Sequence, residues 1–304
     1  MPNSLFSFLI SVFFSLLLQG CGERQIPAQQ QLDSASFIIA TNGPLKYFAQ
    51  RLLEDKVEVR MLVPEGTDPA EWRPDVDAVL QLQKARLVLL NGAGYSSWLN
   101  KVSISSNKLV NTSASVADQW IALEGQVTHS HGPGGEHAHS GYAVTTWMDM
   151  TLARIQAAAV AKALHERWPE HRELIAANLT GLLSDIDALD RGYQEQAGRL
   201  AGRKIIFSHP VYQYFERRYG MSGQSLHWEQ DTMPTRDQWQ HLEKIIDEKA
   251  LFIWEAEPSK KISIHMSEMS VASVVVDPGA NPAGTDWLTI QKKNLASLQQ
   301  VELN

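Results

Sequence analysis

Arg86-Leu87-Val88-Leu89-Leu90-Asn91-Gly92 is a continuous apolar run that stops at a glycine and follows a helical pattern from Val76 to Ala85. A short strand that is apolar on both faces and is fed by a helix belongs in a parallel sheet covered by helices. The segments before it repeat the alternation. Ser36 to Thr41 reads as a buried strand, Leu45 to Glu54 follows helical spacing, and Val57 to Val63 alternates as a second strand before Pro64-Glu65-Gly66 turns the chain. The pattern restarts after Gly202, with strands at Lys204 to Phe207, Leu251 to Trp254 and Ala272 to Val276, and helices at Tyr212 to Tyr219 and Trp239 to Glu248. Two parallel α/β lobes follow from this repetition. In such sheets the ligand crevice lies beyond the carboxyl ends of the strands.

Between the two lobes the chain is helical. Met148 to Trp168 is Ala-rich, Pro169 interrupts it, and a second helix is predicted from Glu170 to about Arg199. Ile175, Leu179, Leu182, Ile186, Leu189 and Tyr193 make one apolar stripe over ~30 residues, or ~45 Å at ~1.5 Å per residue. Such a stripe suits either a bundle segment or a spine joining two lobes. The expected organisation is a signal at 1–21, a Gln-rich tether at 22–34, an N-terminal lobe at 35–168, a linking helix at 169–201 and a C-terminal lobe at 202–304.

At the N-terminus, the apolar run Leu5 to Leu18 makes a helix of only ~21 Å, short of the ~30 Å hydrocarbon core of a bilayer. Leu18-Gln19-Gly20-Cys21 resembles a bacterial lipoprotein signal, in which Cys21 is lipidated and becomes the mature N-terminus. The n-region lacks Lys and Arg, and Gln19 departs from the usual pattern, so an uncleaved anchor stays open. Cys21 is the only cysteine, which rules out an intramolecular disulfide and any thiolate metal site in the body of the chain. The net charge of −7 falls wholly outside residues 1–20. A mildly acidic chain without Lys/Arg clusters argues against nucleic acid and against a polybasic membrane patch. Membrane contact is expected through the lipid alone, and a monomer is expected.

The densest chemical signal is Thr128-His129-Ser130-His131-Gly132-Pro133-Gly134-Gly135-Glu136-His137-Ala138-His139, two His-x-His arms around a Gly/Pro turn. In an extended arm, residues two apart share a face. A hairpin pairing position 131 with 137 would bring four imidazoles to one face, a donor set suited to zinc. A polar loop, a metal-scavenging loop apart from the main site, and a direct contribution to that site are the three readings this segment allows. His209 follows the strand Lys204 to Phe207, at a carboxyl end that faces the predicted crevice.

Leu62 to Trp72, Thr146-Trp147-Met148-Asp149 and Ser208-His209-Pro210 through Gly220 together resemble the landmarks of the zinc/manganese class of ABC-transporter substrate-binding proteins. The resemblance covers residues 36 to about 300. It implies two lobes joined by one continuous helix, a metal cleft between them, and delivery to an ABC permease with its cytoplasmic ATPase. It also implies histidine ligands at three positions, of which this chain keeps only His209; Ala70 and Thr145 occupy the others. Asp277 matches the family's late acidic ligand, although Asp277-Pro278-Gly279 is equally a turn signal. Glu255 matches a glutamate at the mouth of the cleft, where a carboxylate ligates a metal or orients a ligand histidine. His227, Glu229 and Glu71 are weaker candidates.

The expectation is that His129, His131, His137 and His139 fold over the crevice to replace the two missing imidazoles, with His209 completing the site. Zinc is the expected cargo; manganese and other divalent transition metals suit similar donors. A rigid linking helix predicts small lobe motions, with ordering of the loop 128–141 as the gate. An adhesin or interaction protein on the same scaffold is the alternative. No His-Glu-x-x-His motif, phosphate loop or nucleophile elbow appears, so no enzymatic activity is expected.

Overall fold

The computed structural model describes residues 36–123, 127–130, 136–139 and 141–302. The signal, Cys21 and the tether lie outside the described residues. The first sheet is built from β1 (Phe37–Ala40), β2 (Glu58–Arg60), β3 (Leu87–Leu90) and β4 (Leu109–Asn111) in the order β2-β1-β3-β4, all parallel. Helices α1 (Gly43–Leu53) and α2 (Val76–Lys84) supply the crossovers. Each has a side-chain cap: Asn42 Oδ1 accepts from Leu45 N at 3.1 Å, and Asp75 Oδ1 accepts from Ala78 N at 2.8 Å. An antiparallel pair, β5 (Val127–Ser130) with β6 (Glu136–His139), follows.

Two long helices come next, α3 (Met150–Arg167) and α4 (Arg172–Arg199), separated by a single 3-10 turn at Pro169–His171. The second lobe contains β7 (Ile205–Phe207), α5 (Gln213–Tyr219), β8 (Gly223–Ser225), α6 (Arg236–Ile245), β9 (Leu251–Trp254), α7 (Lys260–Glu268), β10 (Ala272–Val275) and α8 (Trp287–Gln299). Its sheet is again all parallel, in the order β10-β9-β7-β8.

The buried strands alternate between two cores. Ile38, Ala40, Leu87, Leu89, Ile205, Phe207, Leu251 and Ile253 face one continuous core that spans both sheets. Their neighbours Phe37, Ile39 and Val88 pack an outer cluster on the first sheet, and Ile206, Phe252 and Trp254 do so on the second. The shared core is threaded by α4, whose Ile175, Leu182, Ile186, Leu189 and Tyr193 are at most 2 % exposed. At 28 residues and ~1.5 Å per residue it is about 42 Å long. It packs on α3 and α1 from the first lobe and on α5 and α8 from the second. Of the two readings of the stripe, the spine is the one realised.

Four elements were not expected from the sequence: β4, β8, α7 and α8. The two strands are three residues each, too short to display a period. In α8 the buried face includes Gln291 and Asn294, which break the apolar stripe. Helix α6 runs from 236 to 245 and not from 239 to 248, because Thr235 and Gln238 close a capping box that starts it earlier. The strand expected at 57–63 is confined to 58–60. Among the described residues no helix is long and apolar enough to cross a membrane.

Candidate metal centre

Strand register places His209. Phe207 pairs with Ile253 of β9 on one side and with Ser225 of β8 on the other. Just past these pairs, Ser208 bridges the strand ends: its N donates to Ile253 O at 2.9 Å, its Oγ accepts from Glu255 N at 3.0 Å, and its O accepts from Trp228 N at 3.0 Å. His209 therefore emerges between Glu255, beyond β9, and Glu229, beyond β8. Its Nδ1 lies 3.6 Å from Glu255 Oε2 and its Nε2 3.4 Å from Glu229 Oε1. The His227 ring stands edge-on with its centroid 6.4 Å away. The imidazole is 8 % exposed and each carboxylate 36 %.

These neighbours oppose one another electrostatically. Burial pulls the His209 pKa down, but the hydrogen bond to Glu229 and the charges of Glu255, Glu229 and Asp68 outweigh it, and the net shift is upward. Glu255 is pushed up to about 7, first by burial; the attraction of His209 opposes this, while Asp68, Asp277 and Glu229 add to it. Protons thus compete for the same nitrogen and oxygen lone pairs that a cation would use.

A cleft of about 110 Å³ opens beside this group, lined from the second lobe by His209, Pro210, Val211 and Glu255 and from the first by Asp68, Ala70, Glu71, Tyr142 and Thr145, among others. Ala70 offers only a methyl group, and its N–H donates to Asp68 Oδ1 at 2.8 Å. Thr145 is 6 % exposed, and its hydroxyl donates to Val211 O at 2.5 Å across the lobes. The segment around it is pinned from below: Asn91 Nδ2 donates to Val144 O at 2.8 Å, and Asn91 Oδ1 accepts from Thr146 Oγ1 at 2.9 Å and Gln156 Nε2 at 3.0 Å. The position is therefore well ordered and its side chain is committed to the other lobe.

Asp277 does not line the cleft. Its Oδ1 accepts from Gly279 N at 2.6 Å in the turn after β10, and burial raises its pKa against the pull of that N–H. Asp68 does line it, and sequence reasoning passed over this residue. Its only signal was position, two residues before Ala70.

The His-rich arms form the hairpin expected, in a different register. Position 129 pairs with 137 and 127 with 139, in place of 131 with 137. The shift is an even number of residues, so strand parity is kept. Residues 131–135, His131 among them, lie outside the described residues. The segments that flank the hairpin in sequence form a base on the cleft wall: Ala122 bridges Tyr142, Leu123 N donates to Gly141 O at 3.0 Å, and Leu123 and Tyr142 both line the cleft. Tyr214 of α5 holds this base to the second lobe, accepting from Ile121 N and donating to Ala143 O, each at 3.1 Å. Among the described residues no three His, Cys, Asp or Glu side chains already stand together to hold one ion.

Comparison with known proteins agrees with this architecture. The zinc-binding lipoprotein AdcA of Streptococcus pneumoniae serotype 4 is 22 % identical over 308 residues, covering 97 % of this chain and 60 % of that protein. The chain thus spans only about 60 % of that relative's length. The manganese ABC transporter substrate-binding lipoprotein PsaA of Streptococcus pneumoniae is 26 % identical over 238 residues, covering 75 % of this chain and 72 % of PsaA. Among solved structures, the Zn(II)-bound ZnuA-like domain of Streptococcus pneumoniae AdcA superposes with a TM-score of 0.72 at 19 % identity, over 86 % of this chain and 97 % of that one. A crystal structure of ZnuA gives 0.67 at 24 %, over 88 % of this chain and 97 % of that one. The profile of the periplasmic zinc-uptake complex component A matches residues 38–301. Two parallel lobes on one helical spine are the fold these structures share, and the profile match over nearly all the described residues shows that this chain belongs to the ZnuA family.

Proposed function

We propose that this protein is the extracytoplasmic binding component of an ABC importer, capturing a divalent transition metal, zinc before manganese, in the interlobe cleft. The observation that carries the reading is His209, buried at the strand ends between Glu229 and Glu255 on the wall of a cleft that both lobes line. One imidazole nitrogen is a zinc donor, and a carboxylate on the other nitrogen fixes the tautomer that ligation needs. Ala70 and Thr145 supply nothing, so the first lobe's share falls to the hairpin of His129, His131, His137 and His139, whose base forms the cleft wall. Glu255 and Glu71 stand on the same cleft. Asp277 acts through its charge on Glu255, and His227 and Glu229 act around the His209 ring.

The names of the relatives support zinc and manganese as cargo and a lipoprotein form. The lobes are taken as 35–168 and 202–304 on the helix 169–201, tethered as a monomer by a lipid on Cys21, with the permease and its ATPase as partners. No catalysis is assigned to the site. A chelator-competition titration tests the reading: about one zinc per chain is expected, with His209→Ala weakening binding by at least roughly tenfold, the scale set by losing even an outer partner of a metal ligand. Equal affinity in that variant contradicts the assignment.

A further inference from the structure

Strand β10 forms one edge of the second sheet, and among the described residues only β9 pairs with it. Val276 N donates to Trp254 O at 2.9 Å, so the even-numbered residues of this strand turn their N–H and C=O groups to β9. By alternation, Ser273 and Val275 turn theirs outward. Exposed edges are ordinarily guarded by charge, proline or a bulge. The other edges follow that rule or are weak strand formers: β2 carries Glu58 and Arg60, β4 is preceded by Lys108, and β8 begins with Gly223. Within the strand, the run Val271-Ala272-Ser273-Val274-Val275-Val276 carries no charge and no proline; Asp277 and Pro278 stand just past its end.

A groove of about 740 Å³ runs along this edge, and none of its lining residues belongs to the cargo cleft. Glu248, Glu257 and Glu302 line the groove, so its rim is acidic.

We infer that the edge of β10 is a docking site for an extended, basic polypeptide segment that adds to the sheet as a fifth strand. Main-chain carbonyls of the segment take the outward N–H groups of Ser273 and Val275, while its Lys or Arg side chains meet the three glutamates. The site is independent of metal capture.

The test uses the full-length protein with two dye-labelled decapeptides, one alternating Lys and Val and the other alternating Glu and Val, followed by fluorescence anisotropy. The basic peptide is expected to bind one per chain and the acidic one at least about tenfold more weakly. Ser273→Pro, which removes an outward N–H, is expected to weaken the basic peptide at least tenfold, with folding checked by circular dichroism. Should that variant unfold, Glu257→Gln with Glu302→Gln decides, by a loss of affinity that vanishes at high salt. Absence of binding by the basic peptide, equal binding of both peptides, or unchanged binding in the folded variants overturns the inference. Concentration-dependent self-association lost in Ser273→Pro also overturns it, in favour of a second copy as the occupant.

Discussion

Thr145 occupies a position where the sequence resemblance implies a histidine. Its surroundings are built as though for a functional side chain, yet its hydroxyl is spent on Val211 O across the lobes. Thr145→Val is expected to destabilise the fold by about 1–2 kcal/mol, since it leaves a buried carbonyl unpaired. Urea denaturation measures this, and zinc affinity should not change; a loss of zinc binding would make Thr145 a ligand after all. His209 and Glu255 predict a pH response with a definite sign. His209, raised above its ordinary value, contributes stability that is complete below the ordinary imidazole pKa of about 6.5 and is lost as pH rises through its folded value. Glu255 acts in the same direction, because between 4.5 and about 7 the folded state keeps a proton that the unfolded state has released. The metal-free protein should therefore melt at lower temperature as pH rises from about 5 to 8, while zinc affinity climbs over the same interval. Calorimetric melts and titrations at several pH values check both slopes, and a flat zinc affinity would exclude these two groups from the site. His209 was legible in the sequence because it follows an apolar strand. Asp68 was not, since an acidic residue in a Pro-rich turn looks the same whether it faces a cleft or solvent.

At the scale of elements, legibility tracked length and burial. The spine α4 announced itself through a stripe that repeats over many turns, and β1, β3, β7 and β9 through runs that are apolar on both faces. The elements that escaped notice lack such a signal. β8 contributes Gly-Gln-Ser to the sheet edge, and its place is fixed by pairing with β7, a tertiary fact. α7 buries only Ile262 and Met266. The His-rich hairpin was anticipated as a ladder, but its register depended on a turn whose geometry the Gly/Pro sequence does not specify. Because α4 supplies buried side chains to both lobes, truncating its middle should be felt by the two together. Ile186→Ala, at a fully buried position, is expected to cost about 2–5 kcal/mol. Denaturation followed by tryptophan fluorescence and by far-ultraviolet circular dichroism should still give one coincident transition. Two separated transitions would show that the lobes do not share a core.

The whole molecule is tied across its cleft at many points besides α4. Gly43 N donates to Ala280 O at 2.7 Å, Trp147 Nε1 to Pro278 O at 2.8 Å, and Asn281 Nδ2 to Pro64 O at 2.8 Å and Thr67 O at 2.9 Å. Cross-lobe bonds of this kind oppose hinge opening. The central claim is that a first lobe without its two customary imidazoles has recruited the His-x-His arms in their stead. It is tested most directly by a chelator-competition zinc titration of the protein beside a variant in which His129, His131, His137 and His139 are all changed to Ala. The account predicts about one tightly held zinc in the parent and its loss in the variant, with the fold of both confirmed by circular dichroism. Equal, tight binding by parent and variant would contradict it, and would leave His209 with the surrounding carboxylates as the whole of the site.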